Sequence, residues 1–313
     1  MEDFHKNSTE SISSEQIAVN ELLRMLTLGE PSETATEMVF SAETLNRETR
    51  RVFGGQVLAQ AIIAGSQTVT DDRAIHSIHG YFIRPGDVDQ PLSFGVRKLN
   101  DGRSFSTRRI QAYQDSAEIF SSIASFQEPA QGPEHGSVMP DGVPEPESLP
   151  SVADLVGYVP LPIARSIAYE RPFDIRHVDQ PLWLSADSDQ RPASMAWVKS
   201  FAPLGDDPVI HRAALAYASD YLPVEPGLRA HGKFWMEEGM RVASLDHAMW
   251  FHRSVRVDEW LLYVLDSPSA QDARSLATGK FFTADGVHVA TVAQETMLRL
   301  PEFREDVDSP FQI

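Results

Sequence analysis

The chain of 313 residues contains no cysteine, so disulfide bonds, thiolate catalysis and cysteine-ligated metal sites are excluded. Long apolar runs are also missing, because no stretch approaches the roughly 20 residues that a helix needs to cross a bilayer. The first residues, "MEDFHKNSTESISSEQ", are polar and acidic and lack the pattern of a signal peptide. We therefore expect a soluble intracellular protein without a membrane span.

Basic residues are few, since 27 Lys and Arg stand against 45 Asp and Glu and give a net charge of −18. Nucleic-acid binding requires clustered Lys and Arg that neutralise phosphates, so this balance argues against nucleic acid as a partner. A small anionic ligand responds to the local field and stays compatible with the composition.

The sequence also lacks a G-x-S-x-G elbow, an H-E-x-x-H helix and a P-loop, which argues against serine-triad hydrolases, zinc proteases and nucleotidases.

What the sequence does contain is a helix followed by four antiparallel strands, present twice. Hydrophobic residues form 42% of the chain, enough for one large core or two medium ones. Before the repeats, 14–28 has helical spacing, with Ser14 as its cap. In the first half we expect a helix at 54–69 and strands at 75–84, 91–99, 104–114 and 117–127. In the second half we expect a strand at 194–202, a helix at 206–222 capped by Asp206 or Asp207, and strands at 241–252, 259–269, 274–283 and 287–300.

The two halves align when "HGYFIR" is placed over "HAMWFH". This alignment pairs His79 with His247 and His76 with Ser244. The shared place of His79 and His247 predicts a common structural role, such as a bond to a buried backbone group. Two similar units in one chain indicate an internal pseudo-dimer.

Many ordered motifs of the chain are similar to those of one known family. They are "RRVFGGQVLAQAI", "HSIHGYFIRPGD", "DGRSFSTRR", "ASFQEP", "YASDYLP", "SLDHAMWFHR", "EWLLY", "DGVHVATVAQE" and "MLR". Over about residues 18–300 the chain resembles the acyl-CoA thioesterase II family, whose bacterial and peroxisomal members have a double hotdog fold. The resemblance implies an α+β architecture in which a curved antiparallel sheet wraps a long helix in each of two tandem repeats.

The expected domain boundaries follow from this resemblance and from composition. An N-terminal hotdog is expected at 17–128 and a C-terminal hotdog at 191–304. A linker and connecting segment is expected at 129–190, because 128–150 is rich in Pro and Gly and has little periodicity. The polar residues 1–16 are expected to be disordered and 305–313 to form a tail.

The resemblance also implies a reaction, the hydrolysis of acyl-CoA thioesters to free carboxylic acid and coenzyme A. The family uses neither metal nor covalent cofactor, and an acid, a hydroxyl and an amide residue hold the attacking water. On the matching motifs these residues are Asp220 in "YASDYLP", Ser244 in "VASLDH" and Gln294 in "TVAQE".

Relatives of this fold commonly associate, so a homodimer or homotetramer is expected. Because the chain ends in "FQI" and not in an S-K-L type signal, it is expected in the cytoplasm, or in peroxisomes without a recognisable C-terminal signal.

General chemistry supports this assignment, because water can attack a thioester when a base takes its proton and donors stabilise the oxyanion. Asp220, near the end of an apolar helix, can be desolvated, which raises the pKa of its carboxyl toward a useful range. Ser244 and Gln294 can orient a water molecule by hydrogen bonds. Without the resemblance, a local structural role is the favoured explanation for each of the three.

Substrate contacts are predicted at two further places. The glycines of "FGGQ", Gly54 and Gly55, can bring a backbone N–H close to an oxyanion at a helix start, or can permit close helix packing. The neighbouring Gln56 and the basic pair Arg108 and Arg109 are candidate substrate-binding residues, and the basic pair also fits solvated surface.

The repeat predicts one catalytic site per chain, because the loose helix alignment sets Ile63 near Asp220, and isoleucine cannot be a base.

Two other functions stay open. A hotdog enoyl-CoA hydratase or dehydratase needs an Asp–His pair, yet no histidine follows Asp220 before His231. A non-catalytic acyl-CoA binding module would make the Asp/Ser/Gln set accidental.

Overall fold

A computed structural model describes residues 13–45 and 50–303. The expectations for 1–12 and for the tail at 305–313 lie outside the described residues. Residues 14–16 belong both to the segment expected to be disordered and to the predicted helix at 14–28, and they form the first turn of that helix. That helix is capped by the Ser13 side chain, which accepts a hydrogen bond from the Gln16 amide, so its start differs from the prediction by one residue.

The described chain contains six α-helices and thirteen strands. The helices are α1 (Ser14–Leu26), α2 (Gly54–Ser66), α3 (Val152–Val156), α4 (Pro162–Tyr169), α5 (Pro208–Ser219) and α6 (Glu225–Ala230). The strands are β1 (Ser32–Glu33), β2 (Met38–Ala42), β3 (Ala74–Phe82), β4 (Leu92–Asp101), β5 (Phe105–Gln114), β6 (Ala117–Gln127), β7 (Phe173–His177), β8 (Ala193–Ser200), β9 (Arg241–Ser244), β10 (Asp246–Phe251), β11 (Leu261–Gln271), β12 (Arg274–Thr283) and β13 (His288–Arg299).

All these strands belong to one antiparallel sheet, in the order β1-β2-β4-β5-β6-β3-β10-β13-β12-β11-β8-β7, with β9 pairing β13. Strands β1 to β6 form the half of the sheet that belongs to the first repeat, and β7 to β13 form the other half. The two repeats join where β3 pairs β10. Each repeat therefore has one helix, α2 or α5, against its own half of the sheet. This arrangement agrees with the predicted double hotdog architecture.

The helices α2 and α5 lie at the centre of the molecule and pack against each other. Helix α2 is mostly apolar, as expected of a helix enclosed by other elements, and every residue from Gly55 to Gly65 is buried, including Gln56 and Gln60. Helix α5 begins at Pro208. The Asp207 side chain accepts a hydrogen bond from the Val209 amide, so Asp207 is the cap among the two residues that were predicted. The start of α2 meets the end of α5, because the Gly55 amide donates to Asp220, and two helices that pack in this way run antiparallel.

A β-bulge occurs at the same place in both repeats and corrects the alignment made from sequence. Thr296 pairs with Ser244, whereas Ala293 pairs with Ala248, so the stretch between β9 and β10 carries one extra residue. The ladder of β3 and β6 shifts in the same way at His76. Matching the two bulges sets His76 against Leu245, one residue away from the predicted match with Ser244.

The predicted common role of His79 and His247 is therefore wrong. His79 lies on the exposed outer face of the sheet, where its ring contacts Trp250 at 4.8 Å between centroids. His247 is fully buried on the inner face. Because side chains alternate between faces, an alignment that is off by one residue exchanges the inside and the outside of a strand.

The linker and connecting segment expected at 129–190 contains regular secondary structure. It contains helices α3 and α4 and strand β7, which pairs β8 and extends the sheet of the second repeat. Ser151 and Asp154 form a capping box at the start of α3. The proline- and glycine-rich stretch before α3 has the irregular backbone that its composition predicts, but the segment after it is structured. Within the described residues, no helix has the length and apolar character needed to cross a membrane.

Candidate active site

A cavity of about 1010 Å³ opens where the two repeats meet. Its walls come from the start of α2, the end of β3, helix α4, the end of α5 and strand β9. Aromatic and aliphatic side chains form much of the lining, as is usual for a site that holds an apolar ligand. These include Phe53, Val57, Phe82, Ile163, Ile167, Trp183, Tyr217, Tyr221, Trp235 and Met236.

Asp220 lines this cavity and is held by both repeats. It is the C-cap of α5 and is only 9% exposed. Its Oδ2 accepts a hydrogen bond of 2.8 Å from the Gly55 amide at the start of α2, in the other repeat. Its Oδ1 accepts a hydrogen bond of 2.9 Å from the Ser244 hydroxyl. The carboxylate therefore lies between the end of one helix and the positive start of another.

Burial raises the pKa of the Asp220 carboxyl to about 6, because the charged form loses water. The Ser244 hydroxyl, the Gln294 amide and the Gly55 N–H act in the opposite direction, since each stabilises the carboxylate. The result is a carboxyl that is mostly ionised at neutral pH and yet is a far better proton acceptor than an ordinary aspartate. This is the property that general-base catalysis requires.

Ser244 and Gln294 extend this arrangement. The Gln294 Nε2 donates to Ser244 Oγ over 2.9 Å, so the serine accepts from the amide and donates to Asp220. Ser244 lines the cavity, whereas Gln294 is 2% exposed and lies behind the serine. The structure thus brings together the three predicted catalytic residues, with Gln294 in contact with Ser244.

His247 continues the chain behind Gln294 and was not predicted as part of the site. Its Nδ1 lies 2.5 Å from Gln294 Oε1, and its Nε2 lies 3.0 Å from Ser219 Oγ. Burial lowers the pKa of His247 to about 4, so the ring is neutral at pH 7. Ser219 Oγ also lies 2.8 Å from the Ala216 carbonyl oxygen, so its single proton is within reach of two acceptors.

The ionised carboxylate of Asp220 fixes the direction of the hydrogen bonds that lead from it through Ser244 and Gln294 to His247. An ionised Asp220 only accepts, so Ser244 must donate to it and must accept from the Gln294 NH₂ group. The Gln294 oxygen then faces His247, which must carry its proton on Nδ1. His247 therefore fixes the orientation of the Gln294 amide.

The predicted substrate-binding residues lie in different places. Gly54 lines the cavity at the first position of α2. The Gly55 N–H is taken by Asp220, and a Cβ at Gly55 would lie 2.4 Å from the Tyr217 carbonyl oxygen, so this glycine also serves close helix packing. Gln56 is 1% exposed, and its side chain bonds the backbone of Glu43 and Leu45.

The structure does not bring the two predicted arginines into the site. Arg108 is 1% exposed and bonds Thr68 and Asp101 inside the first repeat. Arg109 is exposed on the outer face of β5 and bonds Gln111. Neither lines the cavity, which has arginines from other segments.

Comparisons with known proteins agree with this geometry. A family model described as acyl-CoA thioesterase matches residues 178–297, and one described as acyl-CoA thioesterase N-terminal domain matches residues 42–127. Acyl-CoA thioesterase 2 of Haemophilus influenzae is 36% identical over 91% of this chain and 99% of its own length. This chain belongs to the acyl-CoA thioesterase family.

Other members of the acyl-CoA thioesterase family support the same conclusion. Human acyl-coenzyme A thioesterase 8 is 36% identical over 80% of this chain and 81% of its own length. The crystal structure of acyl-CoA thioesterase II TesB2 from Mycobacterium marinum covers 90% of this chain and 98% of its own, with 37% identity and a TM-score of 0.73. The double hotdog fold is thereby confirmed, and the protein is a thioester hydrolase.

Asp220 is expected to reduce the stability of the folded protein above pH 6. Its pKa is raised from 3.8 to about 6, so the folded state binds more protons than the unfolded chain between these values. Stability from this group therefore falls as pH rises through the window, by about 3 kcal/mol once the carboxyl is ionised. Asp220→Asn should raise the free energy of unfolding at pH 8 and have little effect near pH 4, as measured by urea denaturation.

A charge-matched control for this variant is Asp71→Asn, which changes an exposed aspartate. It should leave the free energy of unfolding within about 0.5 kcal/mol of the wild type. A lower stability of Asp220→Asn at pH 8 would show that the carboxylate is a structural group and not a strained functional one.

Loss of the His247 donor is expected to disturb the Gln294 amide. His247→Leu leaves Gln294 Oε1 without its donor, so the amide can rotate and its NH₂ group can leave Ser244. We expect the kcat for thioester hydrolysis to fall about 10- to 100-fold with KM little changed, because Ser244 and Gln294, which are predicted to hold the water, lose their alignment. His79→Leu, on the outer face, serves as the control and should keep the wild-type kcat.

Circular dichroism and thermal denaturation establish that both histidine variants are folded. Equal kcat values for a folded His247→Leu protein and the wild type would mean that His247 has no positioning role.

Proposed function

We propose that Asp220 activates a water molecule that attacks the thioester carbonyl carbon of an acyl-CoA, with Ser244 and Gln294 holding the geometry. The observation that carries this proposal is the buried carboxylate with a pKa of about 6, facing a largely apolar cavity and bonded to the predicted hydroxyl. The products are a free carboxylic acid and coenzyme A.

The proposed reaction has two steps. Asp220 takes a proton from water as the water oxygen bonds to the carbonyl carbon, and the carbonyl π electrons move to the oxygen. The tetrahedral intermediate then collapses, the carbon–sulfur bond breaks, and the thiolate of coenzyme A takes the proton held by Asp220. Because a thiolate is a good leaving group, no separate acid is needed for this step.

The start of α2 is suited to stabilise the oxyanion. Gly54 is the first residue of α2 and lines the cavity next to Asp220, since a Cβ at Gly54 would lie 2.7 Å from Asp220 Oδ2. Among residues 13–45 and 50–303 we find no acceptor for its N–H. An N–H at a helix start is a strong donor to a negative oxygen. We assign Gly54 to this role, whereas Gly55 orients the base.

The alternative reading as a hydratase or dehydratase has less support. Such a reaction would need an Asp–His pair, but His247 bonds Gln294 and Ser219, not Asp220, and does not line the cavity. His231, the next histidine after Asp220, caps the end of α6 and does not line the cavity either.

A thiol-release assay over a series of acyl chain lengths tests the proposed function. The chain has no cysteine, so a thiol-trapping reagent detects coenzyme A without a signal from the enzyme. Asp220→Asn should lose at least about 100-fold in kcat, because it removes the base. Ser244→Ala should lose less, about 10- to 100-fold, because the base stays in place.

Activity in wild type should also fall as pH drops below about 6, the pKa of the base. Undiminished turnover in Asp220→Asn would rule out this site. Bound acyl-CoA without thiol release by the wild type would indicate a binding module, and loss of enoyl absorbance without thiol release would indicate a hydratase.

We propose that the enzyme is a homo-oligomer, a dimer or a tetramer. The outer face of the sheet carries exposed apolar side chains close to the β3–β10 junction, where Tyr81 is 66% and Ile123 is 51% exposed. Such side chains favour association when they are contiguous. Sedimentation equilibrium should give a mass of two or four chains, and Tyr81→Lys with Ile123→Lys should reduce it.

For the place of action we propose the interior of the cell, in the cytoplasm or in peroxisomes. The support comes from the relatives, since a yeast protein that is 24% identical over 91% of this chain is named a peroxisomal acyl-coenzyme A thioester hydrolase, whereas the Haemophilus relative is bacterial.

A further inference from the structure

The charge of the cavity wall is opposite to that of the whole chain. Of its 28 lining residues five are arginines and one, Asp220, is acidic, although acidic residues outnumber basic ones 45 to 27 in the chain. The arginines are Arg51, Arg84, Arg171, Arg241 and Arg299. A cavity with this lining attracts an anion even in a protein with a net charge of −18.

Two of these arginines stand directly opposite each other. Arg241 in β9 pairs with Arg299 in β13, so their side chains share one face of the sheet. Like charges in this relation destabilise a pair of strands. Within the described part of the chain, neither side chain has a hydrogen bond or an ion pair. This pair is therefore a place where a bound anion removes an unfavourable interaction.

The path from this pair to the catalytic residues runs around the edge of β9. Strand β9 pairs only with β13 among the described strands, so its other edge is free. Arg241 and Ser244 are three residues apart and point to opposite faces, yet both line the cavity. The cavity thus connects the face that holds Asp220 and Ser244 with the face that holds the arginines.

Arg84 lies on the other side of this opening. It follows the end of β3, is exposed, and donates one hydrogen bond of 2.6 Å to the Glu118 carbonyl oxygen. The Phe82 amide bonds the Leu245 carbonyl oxygen, which keeps this segment beside β9. Arginine donors from both repeats therefore border the same opening.

We propose that Arg84, Arg241 and Arg299 form the binding site for the phosphate groups of coenzyme A. The guanidinium group binds phosphate through two parallel hydrogen bonds, which suits the diphosphate and the ribose phosphate of this group. The narrow pantetheine arm then passes the free edge of β9 and carries the thioester to Asp220. The site rests on the proposed function, because it assigns the coenzyme end of the same substrate.

The test compares a double variant, Arg241→Ala with Arg299→Ala, with a charge-matched control, Arg97→Ala with Arg103→Ala. The control arginines are exposed in the first repeat and do not line the cavity. Thiol release is measured with the most reactive acyl-CoA and with the same acyl group on pantetheine, which has no phosphate. Binding of coenzyme A itself is measured by titration calorimetry.

We expect the double variant to raise KM for acyl-CoA and the Kd of coenzyme A at least about 10-fold, because two phosphate contacts are lost. Its kcat, and all constants for acyl-pantetheine, should stay within about twofold of the wild type. Higher ionic strength should raise the KM of the wild type for acyl-CoA, and the difference in KM between the wild type and the double variant should become smaller. The control variant should behave as the wild type.

Three results would overturn this site: an unchanged KM and Kd in the double variant, an equal rise of KM for both substrates, or the same rise in the control. Failure of the proposed function is seen separately, because the calorimetric Kd of coenzyme A does not depend on hydrolysis. A wild type that binds coenzyme A but releases no thiol would contradict the reaction and leave the phosphate site supported by its own measurement.

Discussion

The hydrogen bond between the Gly55 amide and Asp220 is the contact on which the proposed site depends. It joins the start of α2 in one repeat to the end of α5 in the other, and it requires the two helices to be close. Only glycine permits this approach, since a Cβ at Gly55 would lie 2.4 Å from the Tyr217 carbonyl oxygen. The packing of the repeats and the position of the proposed base are therefore set by the same contact.

The basicity of Asp220 is a balance between two opposing effects. Burial between the helices disfavours the carboxylate, and donors from Ser244, Gln294 and Gly55 favour it. With fewer donors the pKa of the carboxyl would be higher, and with more exposure it would be closer to that of an ordinary aspartate. The His247 ring contributes indirectly to the donors around Asp220, because it keeps the Gln294 NH₂ group turned toward Ser244.

Most helices and strands of the two repeats were predictable, because apolar spacing and turn residues mark them clearly. Strands β5, β6 and β12 have the predicted start and end to within one residue. The three catalytic candidates came from the motifs of the family and not from periodicity. Periodicity failed at the bulge before His247, since one extra residue reverses which side chains face inward. It also missed Trp183, which lies in the connecting segment before the second repeat and lines the cavity.

The different starts of the two central helices make the repeats complementary partners. Helix α5 begins with Pro208, which has no N–H, and its next amide is already held by Asp207, so a pair made of two second repeats would have two proposed bases and would lack the donor proposed at the start of α2. Counted from its first residue, α2 has Ser66 where α5 has Asp220, so a pair made of two first repeats would have two of the proposed donors and would lack the proposed base. Covalent fusion of unlike halves thus guarantees a one-to-one stoichiometry that free subunits, assembling at random, would reach in only a fraction of their encounters.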